Sequence, residues 1–111
     1  MNLFQRLMNM MTGAQACEIT EDCLLVDVRS PGEYASAHLD GTINLPLGEC
    51  SNSDIQRACP NLSAPIVLFC ASGMRSSTFK QLMEQLGYQN VKNAGGISQV
   101  AMMTGRSVIR G

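Results

Sequence analysis

Apolar residues in this chain fall into two patterns: short unbroken runs, and stripes recurring every three or four positions. Leu24-Leu25-Val26-Asp27-Val28 and Pro65-Ile66-Val67-Leu68-Phe69 are runs. Stretches this short and this apolar suit strands buried on both faces, as in parallel sheets. Thr42 to Leu45 reads as another short strand, stopped by Pro46, and Asn90 to Asn93 as a further one. Between the strands lie helix signals. Ser30-Pro31-Gly32-Glu33 offers an N-cap, a proline at the first helical position and a capping-box glutamate, so a short helix through about Ala37 is predicted. A second helix is placed near Asp54 to Cys59, ended by Pro60. Phe79, Leu82, Met83 and Leu86 form the stripe of a helix from about Arg75 to Leu86, with Gly87 placed to end it. Gly95-Gly96 marks a turn and Ile97 to Met103 a last helix. Near the start, Phe4, Leu7, Met8 and Met11 predict a short amphipathic helix over 3–11 that packs on the domain or frays. Strands alternating with helices define an α/β fold with a mostly parallel sheet and helices on both faces.

Length and composition narrow the function. At 111 residues the chain fits one small domain that needs no metal or disulfide to hold a core. Residues 1–16 are read as an N-terminal extension and 17–111 as the domain. A net charge of -1, without a basic run, argues against nucleic-acid binding, and the absence of Trp argues against a stacking platform. No stretch approaches the ~20 apolar residues that cross a bilayer. Gln5, Arg6 and Asn9 interrupt the only segment resembling a secretory leader. A cytoplasmic protein without a membrane partner is therefore expected, or a mature chain whose leader is missing.

The cysteines at 17, 23, 50, 59 and 70 are odd in number, and none is spaced Cys-x-x-Cys. That pattern fits free thiols better than a disulfide framework or a zinc site. Cys70 differs from the rest. It stands at the end of a predicted strand and opens Cys70-Ala71-Ser72-Gly73-Met74-Arg75-Ser76-Ser77, with a helix expected from about Arg75. Ligands of open α/β sheets bind at this end of the strands. Loop N–H groups, the helix N-terminus with its roughly half positive charge, and the Arg75 guanidinium all favour thiolate over thiol. Gly73 lets the backbone bend close, and Ser72, Ser76 and Ser77 add hydroxyl donors. A persulfide, with its charge on the outer sulfur, would suit the same cradle. The plain alternative is a buried structural cysteine before an ordinary turn.

These segments resemble a rhodanese domain. Leu24 through Tyr34 is similar to the family's first motif and His38-Leu39-Asp40-Gly41-Thr42-Ile43-Asn44-Leu45-Pro46 to its second. Cys70 through Ser76 resembles its active-site loop, and Gly95-Gly96-Ile97 the turn before its last helix. The four matches occur in the family's order. The resemblance implies a rhodanese-like, mostly parallel five-stranded sheet, but the segment before Leu24 is short for the family, so an opening strand is either missing or formed by Cys17 to Ile19. It implies a sulfurtransferase in which Cys70 takes sulfane sulfur from thiosulfate or another persulfide donor. A thiol, on a small molecule or a protein, or cyanide would then accept it, and neither metal nor organic cofactor would be needed. Ala71, Ser72, Gly73, Met74, Arg75 and Ser76 would hold the substrate and the persulfide.

Asp27 and Arg29 can be read as support for the loop, or as structural groups, with Arg29 paired to Glu33 and Asp27 bonded to loop backbone. His38 resembles the family's structural histidine. Other uses of the fold are a persulfide carrier, a non-catalytic binding module, and a cysteine-dependent phosphatase. Phosphatases related to this fold have one more residue between Cys and Arg, and the four residues between Cys70 and Arg75 match the shorter sulfur-transfer loop.

Overall fold

The computed structural model describes Leu3 and residues 19–111. Residues 4–11 of the helix expected over 3–11, and residues 17 and 18 of the expected opening strand, lie outside the described residues.

Four parallel strands form the central sheet, in the order β3-β1-β4-β5. They are β1 (Leu24–Asp27), β3 (Ile43–Asn44), β4 (Ile66–Cys70) and β5 (Val91–Gly96). The five-stranded expectation is corrected to four among the described residues, because Ile19 takes no strand conformation. A pair absent from the sequence reading, β2 (Ala37–Leu39) and β6 (Val108–Arg110), runs antiparallel as a separate two-stranded sheet.

The helices are α1 (Pro31–Ser36), α2 (Asn52–Ala58), α3 (Met74–Gln85) and α4 (Ile97–Thr104). Alternation along the strands sends side chains to two cores. Val26, Ile66, Leu68 and Cys70 join Ile55 of α2 with Phe79 and Met83 of α3 on one face. Leu25, Val67 and Phe69 join Val100 of α4 on the other. Both faces are thus covered, which explains why β4 is buried along its whole length.

Caps set the helix starts. Ser30 accepts from the Glu33 N–H while the Glu33 carboxylate accepts from the Ser30 N–H, closing the predicted capping box. Ser51 and Asp54 do the same for α2, which begins two residues before the sequence expectation. The strand predicted over 90–93 runs on through Gly96, so the Gly95-Gly96 pair belongs to β5 rather than to a separate turn. There the register slips: Leu68 faces Asn93 but Cys70 faces Gly96, so β5 carries one extra residue. Bulges of this kind re-aim side chains beside functional sites. This one lies directly against Cys70.

Candidate active site

Cys70 closes β4 in the middle of the sheet, between β1 and β5. The chain turns through Ala71 to Gly73 and enters α3 at Met74. Gly73 makes the turn possible: its φ of 102° lies in the left-handed region that side chains disfavour. The turn folds the Gly73 N–H back onto the Cys70 sulfur at 2.9 Å. The Ser76 hydroxyl approaches the same sulfur at 3.5 Å from the first turn of α3.

Burial of the thiol by itself opposes ionisation. The Ser76 hydroxyl, followed by the N–H groups of Ser76, Ser72 and Gly73, outweighs it and brings the Cys70 pKa below its ordinary value. Burial pushes the thiols of Cys59 and Cys50 the other way, above the ordinary value. The surroundings thus favour the thiolate at Cys70 and oppose it at these two. Around the buried Cys70, Ala71, Ser72 and Met74 are exposed, while Gly73 and Ser76 are buried.

Arg75 interacts with Cys70, as expected, and also with Glu33. Its guanidinium binds both carboxylate oxygens of Glu33, at 2.6 and 3.1 Å. That fork-to-fork pair carries most of its charge interaction, and Cys70 feels the arginine only secondarily. Glu33, held by Arg75, drops to a pKa of about 2. The sequence reading that paired Glu33 with Arg29 is therefore corrected. Arg29 instead donates to Asp27, with Nη2 to Oδ2 at 2.8 Å, and to the Ala37 carbonyl at 2.7 Å. The Asp27 carboxylate also accepts from the Arg29 N–H, so the hydrogen bonds of that side chain go to Arg29 and not to the Cys70 loop. Residues two apart in an extended chain share a side, which favours this pairing over one into the next helix. The Asp27–Arg29 pair braces the exit of β1 beside the site without touching the sulfur's cradle.

His38 stacks on Tyr34 with ring centroids 4.0 Å apart, and its Nδ1 lies 2.9 Å from the Tyr34 carbonyl. It is a structural residue, as its sequence setting suggested. Two neighbours of the site have roles there that the sequence does not mark: Glu33, the partner of Arg75, and Asn93, at the β5 bulge. The Asn93 side chain accepts from Ser76 at 2.7 Å and donates to the Gly73 carbonyl at 3.0 Å. Glu33 was visible as a capping residue, but its second role needs an arginine 42 positions away. Among the described residues, no group of three or more His, Cys, Asp or Glu is placed to hold a metal ion. No helix among them is long and apolar enough to cross a membrane.

A parallel sheet whose central strand delivers a cysteine into a Gly-turned loop at a helix start defines a class, and the comparisons agree with it. The rhodanese-like domain family model matches residues 7–102, and the chain belongs to that family. It is 36% identical over 77 residues to the thiosulfate sulfurtransferase PspE of Escherichia coli, covering 69% of this chain and 73% of that one. A sulfurtransferase of Allochromatium vinosum is 34% identical over 79 residues, covering 69% of each. Among solved structures, a rhodanese with anions from E. coli superposes with a TM-score of 0.69 at 32% identity, covering 80% of this chain and 99% of that one.

Proposed function

We propose that this domain, taken as residues 17–111, is a thiosulfate sulfurtransferase that works through a persulfide on Cys70. The observation that carries the reading is the sulfur of Cys70, which accepts from the Gly73 N–H at 2.9 Å and has the Ser76 hydroxyl at 3.5 Å. These donors lower the thiol pKa, which favours the nucleophilic thiolate.

The thiolate attacks the outer sulfur of thiosulfate. A Cys70 S–S bond forms as the sulfur–sulfur bond of the donor breaks, and sulfite leaves with the electron pair. The Cys70 persulfide carries its charge on the outer sulfur, where the loop's N–H groups and the helix start favour an anion. An acceptor thiolate, or cyanide, then attacks that outer sulfur, and Cys70 leaves again as thiolate. Every step is a two-electron displacement at sulfur, with no oxidant or reductant consumed. Ala71, Ser72 and Met74 line the approach, Gly73 and Ser76 hold the sulfur, and Arg75 borders the mouth as one half of an ion pair.

Four free cysteines among the described residues suit a reducing, cytoplasmic setting. The acceptor is a thiol, on a small molecule or a protein. The direct activity test is thiocyanate formation from thiosulfate and cyanide. Wild type is expected to turn over and Cys70→Ser to be inactive. Turnover by Cys70→Ser would refute the assignment.

A further inference from the structure

The hydrogen bonds behind Cys70 carry an inference that rests on the proposed sulfur chemistry and deepens it. Ser76 and Asn93 are both fully enclosed, at 0% and 1% exposure, and neither packs there as an apolar residue would. The Ser76 hydroxyl has one proton and three acceptors in reach. They are Asn93 Oδ1 at 2.7 Å, the Gly73 carbonyl at 3.1 Å and the Cys70 sulfur at 3.5 Å. While the sulfur is a neutral thiol, the short bond to Asn93 is the better use of that proton. Once the sulfur is anionic, a charge-assisted bond to it is the stronger one.

We propose that Asn93 is a positioning residue for Cys70: it parks the Ser76 hydroxyl beside the resting thiol and releases it to the sulfur when the thiolate forms. The surrounding bonds make the release inexpensive. Asn93 Oδ1 also accepts from the Gly95 N–H at 2.9 Å, so it keeps a donor after Ser76 turns away. The Gly73 carbonyl likewise keeps the Asn93 Nδ2–H at 3.0 Å. Neither acceptor is left bare and buried, which would otherwise oppose the change. The same amide fixes Gly73, whose own N–H is the closest donor to the sulfur. The β5 bulge explains the placement: the extra residue between Asn93 and Gly96 brings the Asn93 amide against the start of α3.

The test reads the thiol without any sulfur donor, so its failure is separable from failure of the sulfurtransferase reading. The rate of iodoacetamide alkylation at Cys70, followed by peptide mass, is measured against pH for wild type, Ser76→Ala, Asn93→Ala and the double variant. Ser76→Ala is expected to raise the alkylation midpoint by about one pH unit, the size of a lost hydrogen bond to a charged group. Asn93→Ala is expected to lower it, because the Ser76 hydroxyl then gives up no bond to reach the thiolate, and to lose that effect in the double variant, where no hydroxyl remains. An unmoved or raised midpoint in Asn93→Ala, or full additivity in the double variant, would overturn the proposal. If circular dichroism shows that Asn93→Ala does not fold, Asn93→Thr replaces it, with nearly the same volume at a strand position and the same expected outcome.

Discussion

Arg75 grips both carboxylate oxygens of Glu33, and through Glu33 the active-site helix α3 is tied to the capping box of α1. The guanidinium beside the candidate nucleophile is thus half of a neutral pair, and the thiolate depends chiefly on hydroxyl and backbone donors. Arg75→Ala is accordingly expected to raise the Cys70 midpoint by less than Ser76→Ala does, while weakening thiosulfate binding. Alkylation against pH and the thiosulfate KM measure the two effects. A midpoint shift as large as that of Ser76→Ala would show that the arginine acts on the sulfur as strongly as the hydroxyl does.

The same pair has a pH signature. Glu33 has a folded-state pKa of about 2, below its ordinary 4.5, so it stabilises the fold when ionised. That contribution is complete above about pH 4.5 and fades as the pH falls toward 2. Both side chains are over a third exposed, so its size is that of a surface pair, roughly 0.2–1 kcal/mol. Glu33→Gln is expected to be less stable than wild type by that amount at pH 7 and to match it near pH 2. Urea melts across this range check the convergence.

Asp27 and Arg29 form the buried counterpart, with side-chain exposures of 0% and 10%. Removing one partner leaves the other charge enclosed and unpaired, which typically costs about 3–5 kcal/mol. Asp27→Ala should therefore lower the unfolding free energy by about that much, a far larger effect than any change at Glu33. Thermal or urea unfolding measures it. A loss below ~1 kcal/mol would mean that Arg29 finds water instead.

Gly96 stands where β5 meets the loop. A Cβ there would lie 2.6 Å from the Ala71 carbonyl oxygen, so the loop backbone must shift to admit it. Gly96→Ala is expected to retain the fold but lose on the order of a hundredfold in sulfur transfer, as misplacement of a reacting group by about 1 Å can cost. Near-UV and far-UV circular dichroism alongside the thiocyanate assay separate the two effects. Wild-type turnover would show that the loop tolerates the displacement.

Much of this arrangement is legible in the sequence because its signals are local. The apolar runs at 24–28 and 65–69 give β1 and β4, Ser30 and Glu33 give the start of α1, and Phe79 and Met83 give the buried face of α3. Cys70 and its loop follow from a strand end beside a Gly, Ser and Arg helix start. What the sequence hides depends on distant pairing. β2 and β6 are three residues each and stabilise one another across some seventy positions, so neither has a periodicity to read. The Glu33 partner was assigned to Arg29 because the two are close in sequence, whereas the fold brings Arg75 to it. Asn93 is an ordinary residue at the end of a predicted strand until the bulge turns its amide toward Gly73 and Ser76.

The most direct test of the central claim is the intact mass of the protein after thiosulfate, before and after cyanide. The account predicts a gain of one sulfur atom, about 32 Da, mapped to Cys70, removed by cyanide and absent in Cys70→Ser, as a covalent intermediate requires. An unchanged mass in a protein that still forms thiocyanate, or a gain mapped to another cysteine, would contradict it.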